Sequence, residues 1–416
     1  MSRNLRIFSF AAVVFTTVGL MNDATVMYVL AGVCAAVILV AFLLSQLAFA
    51  RLRVEMRPPA SRSVAGARVQ PVVSVESVGS ITVGASVELR ATNLTVPGVE
   101  VSRRALLPPL PPSSGVDLAL ELQPPARGRY RLGPPALIDS DPLGMFESRS
   151  ERGEPFEMVV FPRTYDVPRV YAWETGFGRF SSRGREVRRD RGEFRGIREH
   201  TPGDDLRHVH WKVSAHVGEL AVKEYEPLRH DVISIHLDLS TDGHYGAGAT
   251  STLETTISAA ASLARAGLAE QRSVGVVGTG LPPGVARPGA GQAHMHRTMI
   301  ALAEAQTSQG RFTDSLTSQL RAVPRGASVF VITTAAEEGL VQALSAALSG
   351  PGSMTLLVVE GDLEGADERF AAVPRRLMES ARAVGVGVGL LRSPADIGDA
   401  MSVAMGPALR GGEGVA

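Results

Sequence analysis

Between Arg195 and Lys212 the chain gathers most of the side chains that could do chemistry: Arg198, Glu199, His200, Asp204, Asp205, Arg207, His208, His210, Trp211 and Lys212, set around the turn Thr201-Pro-Gly-Asp204. Carboxylates, imidazoles and an ammonium this close together suit a metal centre or a proton relay. The spacing argues against both. No His-x-x-x-His pair places two imidazoles on one helical face, and no Ser or Cys sits in a nucleophile elbow. A turn-locking network fits better. Pro202 presets φ, Gly203 permits the reversal, and Asp204 or Asp205 caps a helical turn beginning near Leu206. Arg198 and Arg207 then pair with Asp204, Asp205 or Glu199, while Trp211 anchors the segment in apolar contacts. If the same residues, with His210 and Lys212, face outward instead, they recognise a partner.

A second group precedes this one. Eight arginines and three acids lie between Arg179 and Arg198, and Arg183, Arg185, Arg188 and Arg189 are the candidates for a phosphate or anionic-lipid contact. A solvated loop ordering against acids of its own domain is the plainer reading. Nucleic acid is disfavoured: the chain has 42 basic and 42 acidic residues, so no global field attracts a polyanion, and no recognised motif accompanies the arginines. The single cysteine, Cys34, excludes an intramolecular disulfide and a cysteine metal cluster.

The elements that must position these groups fall into blocks. Ile7–Met21 and Ala24–Ala50 are apolar runs separated only by Asn22 and Asp23, and they predict a two-helix transmembrane hairpin over residues 1–53. Arg3 and Arg6 precede it and Arg51, Arg53 and Arg57 follow it, which places both ends in the cytoplasm of a cell-membrane protein. From 54 to 165, period-two segments at 72–78, 86–92, 116–122 and 129–132 predict an antiparallel β-sandwich. From 166 to 405 the period changes. Strands at 232–239, 274–277, 328–333, 354–359 and 385–391 alternate with helices at 251–271, 294–306, 313–322, 336–348 and 368–383, which predicts α/β architecture with a parallel sheet. Gly385-x-Gly-x-Gly389 falls inside a predicted strand, where small residues in a crowded sheet explain it. Residues 406–416 read as a disordered tail.

Gly192-Glu-Phe194, the Arg195–Lys212 run and Ser214-Ala-His-Val-Gly-Glu-Leu-Ala-Val-Lys-Glu-Tyr225 together resemble the signature of the bacterial "domain of unknown function 58" family, and Asp139-Ser-Asp-Pro-Leu-Gly-Met-Phe146 resembles the element that precedes it. The resemblance implies a doubly wound, von Willebrand factor A-like domain. In such domains the first strand ends in Asp-x-Ser-x-Ser, whose oxygens hold a divalent cation at the carboxyl edge of the sheet. Here the run is Asp238-Leu-Ser240-Thr-Asp242, and Thr333-Thr334 stands where a later acid would complete the set. The cofactor expectation is therefore none, or weak Mg²⁺ at a degenerate site. The resemblance also implies protein partners, a MoxR-type AAA+ ATPase and a transglutaminase-like membrane protein. The functional expectation is a membrane-tethered cytoplasmic scaffold or adaptor in chaperone-like or cell-envelope work and not an enzyme. The alternatives are a metal-dependent hydrolase using Asp238, Asp242 and the signature histidines, and an anionic-lipid surface sensor.

Overall fold

The computed structural model describes residues 3–22, 24–47, 52–78, 85–140, 145–167, 193–200, 209–226, 232–246, 248, 251–334, 339–348, 350–360 and 373–404. The chain divides into two compact units, Met1–Arg163 and Thr164–Ala416.

The first unit opens with helices α1 (Arg3–Asn22) and α2 (Thr25–Leu47), which pack side by side. Both are long and apolar enough to cross a membrane by length and composition. Within α1, Thr16 and Thr17 donate to the carbonyls of Ala12 and Val13 at 2.7 and 2.8 Å. That is what an apolar surrounding demands of a hydroxyl.

Two sheets follow. One has the order β1 (Leu52–Arg57), β3 (Val72–Ser77), β6 (Gly115–Ala119). The other has the order β2 (Arg62–Val64), β10 (Phe156–Phe161), β7 (Gly128–Leu132), β4 (Ser86–Asn93), β8 (Ala136–Ser140), β9 (Glu147–Glu151), with β5 (Glu100–Leu106) also on β4. Alternate residues such as Val73 and Val75 from the first sheet, and Val87, Leu89, Tyr130 and Leu132 from the second, enter one shared core. Every pairing is antiparallel except β2 with β10, which is parallel. Strands joined by a tight turn must reverse direction, but Ser63 and Val160 meet across nearly the whole sandwich sequence and nothing local fixes their sense. Asn93 is buried, and its side chain donates to the Arg127 carbonyl at 2.9 Å and accepts from the Thr95 and Val96 amides. In the second resemblance element Met145 is buried and Phe146 half-buried, and Leu143 lies outside the described residues.

The second unit contains a five-stranded parallel sheet of order β14 (Ser273–Gly278), β13 (Val232–Leu237), β15 (Ser328–Thr333), β16 (Ser353–Val359), β17 (Gly387–Leu391). The central strands are buried along nearly their whole length because both faces are covered. On one face Val329, Val331, Leu356, Val358 and Val388 meet α7 (Phe312–Arg321), α8 (Leu340–Ala347) and α9 (Val373–Ala383). On the other lie α4 (Thr252–Ala269), whose Gly267 comes against Ile233 and Val274, and α10 (Ile397–Ala404). A Cβ at Gly389 would stand 2.4 Å from the Ala400 carbonyl oxygen, so this glycine serves the close approach of α10 to β17. Helices α5 (Pro283–Ala286) and α6 (Gly291–Glu304) connect β14 to α7. The remaining pieces are β11 (Glu193–Glu199) and β12 (Ala221–Glu226), a two-stranded antiparallel sheet carrying α3 (Trp211–Val217). The tail from 406 lies outside the described residues.

Candidate functional site

Strand β13 emerges at the carboxyl edge of the sheet between β14 and β15, and Asp238 follows it with no exposed surface. Its Oδ1 accepts from the Ser240 amide at 3.0 Å and the Ser240 hydroxyl at 2.6 Å, and its Oδ2 accepts from Thr333 Oγ1 at 2.7 Å. Thr334 donates its hydroxyl to the Gly243 carbonyl, so both threonines close the edge by donating to the turn after β13. Ser308 braces the same turn, donating its amide to the Leu239 carbonyl at 2.7 Å and accepting from the Thr241 amide at 3.0 Å. Gly243 is required here, since a Cβ would stand 2.8 Å from Ser240 Oγ.

Of the sequence-predicted trio, Asp238 and Ser240 come together, whereas Asp242 is exposed. A hard cation favours several anionic oxygens. The cluster supplies one buried carboxylate, whose oxygens already accept three hydrogen bonds. Among the described residues no group of three or more His, Cys, Asp or Glu stands close enough to hold a metal ion.

Two histidines that sequence reasoning passed over lie beside this edge. His244 Nε2 is 2.9 Å from the Asp238 carbonyl and Nδ1 is 3.2 Å from Thr252 Oγ1, tying the strand end to the start of α4. Burial lowers its pKa, against the opposing pull of the Asp238 carbonyl and carboxylate. His236 is fully buried, with Nε2 3.0 Å from Ser234 Oγ and Nδ1 3.2 Å from Gln319 Oε1 on α7. Burial pushes its ring down to about 4, the Gln319 bond offsetting a little. Its position within a continuous apolar strand was the only signal that this histidine is a core residue. Tyr245, nearby in sequence, has its pKa raised by burial and by the Glu360 carboxylate.

The signature forms a separate module. Arg198 lies on β11 opposite Val222, with a register shift between Phe194 and Gly196. His210 is a helix cap: its amide donates to the Ala221 carbonyl at 2.8 Å, and its Nδ1 accepts from the Val213 amide at 3.3 Å. Imidazole is an uncommon N-cap, so the sequence carried no signal for a helix starting at Trp211. Ser214 is buried and its Oγ accepts from the Ala221 amide at 2.9 Å, fastening α3 to β12. Gly218 ends the helix in the left-handed region at φ +84° and donates to the Ser214 carbonyl.

Trp211 corrects the sequence expectation. It is 66% exposed, so it does not anchor the module. The fastening is polar and backbone-directed, through His210 and Ser214, and the first residue of α3 is left facing water with Lys212 also exposed. Asp204, Asp205 and Arg207, the helical turn expected near Leu206, and Arg183, Arg185, Arg188 and Arg189 all lie outside the described residues.

Residues 196–360 match the family model described as "Protein of unknown function DUF58". None of the curated proteins matches the chain. Among solved structures it is similar to the CARDB domain of a Pyrococcus furiosus protein in complex with di-metal ions, at 17% identity over 26% of this chain and 86% of that one, with a TM-score of 0.19. A structural-genomics target, SoR45, matches at 11% identity over 27% and 88%, also with a TM-score of 0.19. The seventh PapD-like domain of human CEP192 matches at 13% over 26% and 84%, with a TM-score of 0.15. These likenesses are too weak to bear on the fold.

Proposed function

We propose that the protein, whose residues 196–360 match the DUF58 family model, is a membrane-tethered scaffold or adaptor that captures a protein partner through the signature module. In this reading α1 and α2 cross the cell membrane as a hairpin, both chain ends are cytoplasmic, and the five-stranded sheet is the body of a doubly wound, von Willebrand factor A-like domain. The partner is a MoxR-type AAA+ ATPase, working with a transglutaminase-like membrane protein in chaperone-like or cell-envelope assembly. The observation that carries the proposal is Trp211: a large amphipathic ring, 66% exposed, heads a helix whose own attachment does not use it. Exposed tryptophans on rigid supports are the residues that dominate protein interfaces. The hydrolase alternative has less support, because it would draw on Asp242, which is exposed, and on Asp238, whose oxygens are engaged.

Crosslinking and capture from membranes tests this. Trp211→Ala should keep the melting temperature of the full chain, a stability change within about 0.5 kcal/mol as for other surface substitutions, and should lose the ATPase. Retained capture would overturn the assignment of this surface.

A further inference from the structure

The β-sandwich carries a surface that the tether alone does not explain. Phe146, at the start of the β8–β9 hairpin's return strand, stacks edge-on against Phe42 of α2, with ring centroids 5.6 Å apart and planes at 69°. Phe42 belongs to the apolar window Thr25–Leu43 that is long enough to cross a membrane. It is the last residue but one of that window, about 7.5 Å at the usual helical rise before Leu47, the last described residue of α2. A soluble-domain side chain that touches Phe42 therefore sits at the depth of the headgroup and upper acyl region, where interfacial elements bury about 5–10 Å.

The rest of that sheet end agrees. Ser86 pairs with both Ile138 and Leu106, so Leu106 lies level with the hairpin, two strands away across β4. Leu106 is 77% exposed. In the other sheet, Ser77 pairs with Leu52, the first residue of β1 after the membrane helices, and the next residue, Val78, is 61% exposed. Three apolar side chains thus mark the helix-proximal rim of the sandwich, at a place where water would penalise them. We propose that Phe146, Leu106 and Val78 seat in the lipid–water interface beside α2, so that the sandwich is docked on the bilayer by a second attachment. The proposal rests on the reading of α2 as a membrane span, and the lipid surface is its only occupant.

The test uses the full chain reconstituted in vesicles of phosphatidylcholine and phosphatidylglycerol, with a nitroxide on one cysteine at a time. Cys34 reports the span. Phe146→Cys and Leu106→Cys, each combined with Cys34→Ser, report the rim, and Leu94→Cys in the same background reports the far end of β4. Relaxation by lipid-dissolved oxygen against a water-soluble nickel chelate gives the depth. Labels at 34, 146 and 106 should favour oxygen and the label at 94 should favour nickel. Because Phe146→Cys removes a ring contact, the exposed Leu106 position stands as the independent readout. If 146 and 106 behave like 94 while 34 stays in lipid, the docking proposal fails and the span survives. If 34 itself meets nickel, the span fails and the docking falls with it.

Discussion

Asp238 has three donors on its two oxygens and no surface in water, so its value lies in what its removal would leave unsatisfied. Asp238→Ala should lower stability by about 1–3 kcal/mol, the cost of orphaning buried donors. Asp238→Asn should cost less, because an amide oxygen still accepts from Ser240 and the Thr333 hydroxyl can turn to accept. Urea unfolding of both variants checks the order, and an Asn variant as damaged as the Ala variant would show that the charge itself is required. His236 gives the edge a pH dependence of known sign. Its folded pKa lies near 4 against 6.5 for a free imidazole, so the unfolded chain binds a proton that the folded chain refuses between those values. The stability contribution is present above pH 6.5 and lost as pH falls toward 4, by about 3 kcal/mol in total. Chemical denaturation across that range, compared with His236→Gln, should show the variant's curve flatter; parallel curves would contradict a neutral buried ring.

At the scale of elements, the packing of α10 on β17 turns on one missing side chain. Gly389→Ala would drive a Cβ into the backbone of Ala400, which cannot rotate away as a side chain can. The expected loss is about 1–3 kcal/mol, as for overpacked cores, read as a lower melting temperature; an unchanged one would mean that α10 is free to lift. Of the glycines 385–389 that the sequence placed in a crowded strand, Gly389 is crowded, whereas Gly385 lies in a left-handed turn before β17 with open space around it; the two membrane-length helices and the buried strands β13, β15 and β16 were legible, because uninterrupted apolar runs admit few alternatives. Strand β5 was not. Glu100-Val-Ser-Arg-Arg-Ala-Leu106 is mostly exposed and shows little of the alternation that burial imposes. The lock on Asp238 was equally hidden, since its closing donor Thr333 is 95 positions away. Trp211 misled for a different reason: ring size signals apolar contact in general, and the backbone bonds of His210 and Ser214 that make such an anchor unnecessary have no pattern in sequence.

For the molecule as a whole, the arginines flanking the hairpin, Arg3 and Arg6 before it and Arg51, Arg53 and Arg57 after it, make the topology testable. Protease added outside intact spheroplasts should spare everything from Arg51 onward, and rapid loss of the soluble part from that side would reverse the orientation and put the proposed ATPase partner out of reach. The order in which the chain is made adds a constraint of its own. The first unit is complete once Phe161 and Arg163 reach Ala65, which accepts from Arg163 Nε at 2.8 Å and donates to the Phe161 carbonyl. The sheet of the second unit waits longer. Strand β13 leaves the ribosome first among the five strands, yet it lies between β14 and β15, and the hydroxyl of Thr333 follows Asp238 by 95 residues, about 5 to 20 s of synthesis. Throughout that interval Oδ2 of Asp238 lacks its distant donor, while Ser240, two residues on, can serve only Oδ1, and a carboxylate oxygen left unsatisfied is costly to bury. The end of β13 should therefore resist burial until β15 arrives, so that the residue that locks the finished sheet would also disfavour a wrong segment closing it early.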